Sequence, residues 1–137
     1  MAEVEGKISI WIKSGSFNHG SDLYIQVLID DNSIWKTEEK DGFTPDFDST
    51  VVKHIKGDYE KIVLRLMDED TCTRDDVIAT AEFPIADLLD DGINDDSVSM
   101  CDADGNEVGT LGVNINFEAG DVNAFQLFGS MLHKGGD

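Results

Sequence analysis

Apolar and polar residues alternate along most of this chain in short runs, and Gly, Asp and Asn separate the runs. Ile8, Ile10 and Ile12 alternate with Ser9, Trp11 and Lys13; Ile25, Val27 and Ile29 follow across a turn-rich loop. Residues 34–37 make a short piece, and residues 50–55 are β-branched and apolar. Ile62, Leu64 and Leu66 alternate with Val63, Arg65 and Met67, and residues 77–85 hold Ala79, Ala81 and Phe83 on one face. Val98 and Met100 mark a further run. The clearest is Leu111, Val113, Ile115 and Phe117, with Thr110, Gly112, Asn114 and Asn116 between them. A period of two places alternate side chains on opposite faces of a strand. Eight such runs at fairly even spacing predict an all-β fold, an eight-stranded antiparallel β-sandwich.

Two stretches depart from that period. Residues 86–89, after Pro84, read as a single helical turn trailing into an acidic loop over 90–96. Beyond Phe117 the spacing changes to three and four: Ala124, Leu127, Phe128 and Met131, joined by Phe125 and Leu132. Asp121 supplies an N-cap and Gly135-Gly136 a stop, so the spacing predicts a short C-terminal amphipathic helix over 121–134. The chain divides into a sandwich domain, 1–118, and a tail, 119–137. An isolated helix this short is marginal in water and needs a surface to lie on. Phe125, Phe128, Met131 and Leu132 are therefore candidate partner-binding residues, docking on the chain's own sandwich, on a protein partner or on a second copy.

Composition narrows the function. The 137 residues are 40% apolar, ample for a core, yet 29 acidic residues against 10 basic ones leave a net charge of −19 and a pI near 4.1. That field repels phosphate backbones and excludes nucleic acid as a partner. It attracts cations. No apolar run is long enough to span a bilayer, and the acidic start lacks the apolar stretch of a secretory signal. Cys72 and Cys101 have no paired spacing and read as free thiols in a reducing, cytoplasmic setting.

The carboxylates concentrate in Asp68-Glu69-Asp70-Thr71-Cys72-Thr73-Arg74-Asp75-Asp76, between one strand and the next. Three or four like charges on one loop repel, and a hard divalent cation relieves the repulsion. Ca2+ takes six to eight oxygen ligands from such groups. Alternation sets Asp68 and Asp70 on one side as the loop opens, and Asp76 closes it. Gly15 to Asp22, joining the first two strands, could face this loop with Asp22 as its one carboxylate.

At this point the chain resembles the C2 domains. The resemblance covers residues 6–118 and rests on Gly6-Lys7-Ile8-Ser9-Ile10 as opening strand and on Ser21-Asp22-Leu23-Tyr24-Ile25. It continues through Lys36-Thr37, Thr44-Pro45-Asp46-Phe47-Asp48, the loop from Asp68 to Asp76, and the run from Gly109 to Phe117. It implies a β-sandwich in the strand order called type II. It also implies Ca2+ as cofactor, held by the carboxylates of Asp22, Asp68, Asp70 and Asp76 with the backbone carbonyls of Phe17 and Glu69 as further ligands. The chain departs from the family at Ser16, where an Asp usually stands, so the resemblance implies a one-ion or weakened site. Phe17 stands where the family often places a side chain that enters the lipid headgroup region; packing onto the core is the other reading. Arg74, near the facing tip, either meets a lipid phosphate or pairs with Asp75 or Asp76.

Other signals carry less. Asp102-Ala103-Asp104-Gly105-Asn106-Glu107 begins like an EF-hand but has Glu107 where Gly is required, and reads as a turn. His19, His54 and His133 share no metal-ligand spacing. No nucleophile, P-loop or dinucleotide motif is present, so no enzyme is expected. The expected function is a Ca2+-binding module, cytoplasmic and peripheral to membranes, that docks to a phospholipid membrane surface in a Ca2+-dependent way. The competing expectation is a protein-interaction scaffold with weak Ca2+ binding, assembling through its acidic surface and C-terminal helix.

Overall fold

The computed structural model describes residues 2–69 and 74–120. Its strands are β1 (Ala2–Phe17), β2 (Leu23–Ile29), β3 (Asn32–Lys36), β4 (Asp46–Tyr59), β5 (Lys61–Asp68), β6 (Asp76–Pro84), β7 (Ile93–Cys101) and β8 (Glu107–Ala119). Every pairing is antiparallel, in the order β3-β2-β5-β6-β7-β8-β1-β4. A single pair, Thr80 with Cys101, joins β6 to β7. The order therefore folds into two four-stranded layers, β4-β1-β8-β7 and β3-β2-β5-β6, the sandwich that the alternation predicts.

Each layer turns its apolar row inward. Ile8, Ile10 and Ile12 of β1 and Leu111, Val113 and Ile115 of β8 face Ile25, Val27, Leu64 and Leu66 of the other layer, all buried in one cluster. Burying each such side chain contributes roughly 1.5–3 kcal/mol. The expected helical turn is α1 (Ile85–Asp90), which buries Ile85 and Leu88 under the sandwich.

Two expectations need correction. β1 and β4 run well beyond the apolar alternation, because they pair with each other from Ala2↔Tyr59 to Ser14↔Asp46, with one register shift between Ile12 and Ser14, and backbone hydrogen bonds outlast the side-chain pattern. The acidic loop over 90–96 is shorter than expected: β7 begins at Ile93, which is buried and pairs with Ile115. A register shift between Asp95 and Val98 breaks the period there and hides the strand from a pattern reading. The expected helix over 121–134, with Phe125, Phe128, Met131 and Leu132, lies outside the described residues.

Candidate functional site

Three connections meet at the end of the sandwich where β1 finishes: residues 18–22, residues 37–45 and, of the third, the described residues 69, 74 and 75. Backbone hydrogen bonds tie them together. Phe17 N donates to Phe43 O (2.8 Å), Gly42 N to Gly20 O (3.1 Å) and Glu69 N to Asp22 O (3.0 Å). Leu23 and Lys40 exchange two bonds of 2.8 Å. The buried Thr37 hydroxyl accepts from Ile25 N at 3.0 Å and donates to Glu38 O at 3.1 Å, anchoring the second connection to β2.

This end collects carboxylates. Asp68 closes β5 between Leu23 of β2 and Asp76 of β6, and Asp68 and Asp76 stand directly opposite in the register. Like charges directly opposite across a pair of strands are destabilising. Asp22 adjoins Asp68 through Leu23 and has a left-handed backbone, φ 40°, a conformation that Asp tolerates better than most residues. Its amide donates to Asp41 Oδ1 at 3.1 Å. Interaction with the Asp41 side chain, then its charge, raises the Asp22 carboxyl above its ordinary value, and Asp41 is lowered in return. The Glu39 side chain raises Glu69 in the same way, and Glu39 is lowered. His19 Nε2 lies 2.9 Å from Asp68 Oδ2. Among the described residues no three His, Cys, Asp or Glu side chains are grouped so that they could hold a metal ion. Asp70 lies outside the described residues.

Nothing in the sequence singles out Glu39 and Asp41, which stand there only as acidic neighbours of Lys36 and Lys40. The same connection contributes Phe43, whose side chain is 61% exposed and lies against Gly20. Phe17, by contrast, is a core residue at 5% exposure. Its ring fills the space where a Cβ on Gly15 or Gly109 would sit. This corrects the reading of Phe17 as a membrane-contact side chain. A register shift after Ile12 reverses the parity of β1, so that Phe17 turns inward and Ser16 outward. Arg74 is exposed at the third connection.

Asp75, which has no ligand role in the sequence pattern, accepts a 2.6 Å hydrogen bond from the Tyr24 hydroxyl. Burial, then this bond, pushes the Tyr24 hydroxyl well above the ordinary tyrosine range, keeping it a donor. The bond pins the third connection to β2. Tyr24→Phe is expected to lower the unfolding free energy by about 1.5 kcal/mol, the lower range for a hydrogen bond to a charged group. Equilibrium denaturation checks this; an unchanged midpoint would dissociate Asp75 from Tyr24 in solution.

Comparison with known proteins decides the family: a sequence model described as the C2 domain matches residues 8–100. The chain belongs to the C2 domain family. Among solved structures, this C2 domain superposes on a C2 domain-containing protein at 17% identity and a TM-score of 0.71, over 89% of this chain and 96% of the other. The C2A domain of a plant extended synaptotagmin 1 is 10% identical with a TM-score of 0.70, over 88% and 98%. Human GIVD cytosolic phospholipase A2 is 18% identical with a TM-score of 0.65, over 88% of this chain and 16% of that one. At these identities the likeness shows the fold, and nothing of the phospholipase activity carries over. No curated protein sequence matches the chain. Among the described residues of the C2 domain, no helix is long and apolar enough to cross a membrane.

Proposed function

We propose that this C2 domain is a Ca2+-binding module that docks to phospholipid membranes when Ca2+ is bound. One observation carries the reading: Asp22, Asp68 and Asp76 lie at adjoining strand ends, with Asp41, Glu39 and Glu69 from tied connections beside them. The donor set fits a hard cation. All of these groups are carboxylates, and the neighbouring acid raises the carboxyls of Asp22 and Glu69 above their ordinary values, a crowding that a hard cation would relieve.

In this reading Asp22, Asp68, Asp70 and Asp76 hold the ion, with the backbone carbonyls of Phe17 and Glu69. When bound, Ca2+ supplies a positive bridge between these carboxylates and lipid phosphate. Ser16 is exposed and belongs to β1, paired with Thr110, so Asp41 is the carboxylate that stands beside Asp22 in its stead. His19 gives up Asp68 Oδ2 when the site fills. Phe43 enters the headgroup region in the role that Phe17 cannot take, and Arg74 meets lipid phosphate. The net charge of −19 opposes approach to an anionic surface, so attachment is local and sensitive to salt.

Sedimentation with phosphatidylcholine/phosphatidylserine vesicles tests the proposal. The protein is expected in the pellet with millimolar Ca2+ and in the supernatant with chelator. Calorimetric Ca2+ binding without sedimentation would favour a protein-interaction scaffold; no Ca2+ binding at all would end the reading.

A further inference from the structure

The outer face of the β4-β1-β8-β7 layer carries a shallow depression of about 200 Å3. Side chains of three strands line it: Ser9 and Trp11 of β1, Thr50 and Val52 of β4, and Asn114 and Asn116 of β8. Register explains the hollow. Ser9 stands between Val52 and Asn116, and Trp11, two residues on, stands between Thr50 and Asn114. A serine among longer side chains on one face of a sheet leaves a hole one side chain deep. None of these side chains is ionisable, in a chain with 29 acidic residues. Further clefts among the described residues are edged by carboxylates: Glu3 and Glu5 in one, Asp87 and Asp95 in another, Glu60 and Glu82 in a third.

Trp11 is 40% exposed and yet held in place. Its Nε1 donates to Asp48 Oδ1 at 3.0 Å. Lys13 Nζ lies 4.8 Å from the ring centroid and is itself fixed by Asp96 Oδ1 at 2.7 Å. The indole is thus oriented before any ligand arrives, which lowers the cost of binding. On the other side of the hollow Asn116 Nδ2 donates to Asn114 Oδ1 at 2.6 Å. That bond uses one donor and one acceptor, and the pair still offers the Asn114 amide N–H groups and the Asn116 oxygen.

This chemistry selects among ligands. An anion finds no cation in the lining, since Lys13 is committed to Asp96 and to the ring. A cation finds no carboxylate there. A purely apolar ligand would cover amides and hydroxyls without giving them partners. A ring with C–H groups on one face and hydroxyls around its rim satisfies both kinds of group. Its C–H hydrogens meet the negative face of the indole, and its hydroxyls, donors and acceptors at once, meet Asn114, Asn116, Ser9 and Thr50. The volume lies below the roughly 300–1,000 Å3 of pockets for drug-sized ligands, which suits one ring.

We infer that this depression is a binding site for a neutral pyranoside, one sugar ring stacked on Trp11 and hydrogen-bonded by Asn114 and Asn116. Trp11 lies about 20 Å along β1 from Phe17 and the carboxylate end, so sugar and Ca2+ do not compete for space.

The indole N–H resonance of Trp11 in the isotope-labelled full chain, with chelator present, reads the site; Trp35, on β3 of the other layer, is the internal reference. The probes are the methyl glycosides of glucose, galactose and mannose, and cyclohexanol as a ring without the hydroxyl array. At least one glycoside is expected to shift the Trp11 resonance saturably in the millimolar range and to leave Trp35 in place. Asn114→Ala should weaken that binding about fivefold. Ser9→Leu, which fills the hollow, should abolish it, and the Tm of both variants should stay close to the parent's. No shift with any glycoside, an equal response to cyclohexanol, or binding that survives Ser9→Leu would overturn the inference. Sedimentation with phosphatidylcholine vesicles carrying galactosylceramide, again in chelator, then tells a lipid-borne sugar from a free one. Ca2+ takes no part in these measurements, so their failure is separate from failure of the proposed function.

Discussion

Phe17→Ala is expected to cost about 3–5 kcal/mol of unfolding free energy, the range for truncating a buried phenylalanine. The ring is 5% exposed, and the close approach of β1 to β8 at Gly15 and Gly109 is shaped to receive it. No Cβ fits at Gly109, where it would clash with Ser16 O and with Phe17 itself. Phe43→Ala is the contrasting variant. At 61% exposure its loss should change stability by no more than about 0.5 kcal/mol. On the proposed function its effect is on membrane docking: burial of a phenylalanine is worth roughly 1.5–3 kcal/mol, so Ca2+-dependent vesicle partitioning should weaken by about tenfold or more. Denaturant titration and vesicle sedimentation on both variants separate the roles. A Phe17→Ala protein of unchanged stability that no longer sediments would reverse the assignment.

On the proposed function, Ca2+ should stabilise the fold by about 2.7 kcal/mol at a free concentration one hundred times the dissociation constant, because only the folded chain sets the strand ends that carry Asp22, Asp68 and Asp76 side by side. Mg2+, which demands a tighter octahedron and sheds water reluctantly, should do much less. Asp76→Asn gives the sharper test, since its two expected effects have opposite sign. Without Ca2+ the variant should be slightly more stable than the parent, by about 0.2–1 kcal/mol, because Asp68 and Asp76 are opposed in register. With Ca2+ most of the stabilisation should vanish. Thermal melts with chelator and with excess Ca2+ read both. A variant that is destabilised without Ca2+ and still shifted by it would show that Asp76 serves the strand pair and not an ion.

Those outcomes also measure how far the amino-acid pattern reaches. The strands were legible wherever one face is buried against the other layer, because a period of two then survives along the whole element; β8 is the clearest case. The helical turn after Pro84 was legible from local chemistry. β7 was legible only in its second half, at Val98 and Met100, since a register shift between Asp95 and Val98 interrupts its alternation inside an acidic run. At the site, Asp22, Asp68 and Asp76 could be picked out by their places at the ends of apolar runs. Glu39 and Asp41 could not. Nothing within residues 37–45 signals that Leu23 and Lys40 bond to each other and bring that connection against Asp22.

Phe17 marks the boundary between the two kinds of information. By itself the sequence determined the number of strands, their inward rows and the strongly acidic character of the loops, all properties set by neighbours along the chain. Only the tertiary structure decided which way Phe17 faces, because a single register shift against β4 and β8 reverses the parity of everything beyond Ile12. Only it decided which carboxylates act on each other, because those pairs join residues from separate connections: Asp22 with Asp41, and Glu39 with Glu69. Pairings across long loops depend on how the two layers stack and on which backbone groups remain to be satisfied at their ends, and no local pattern encodes either.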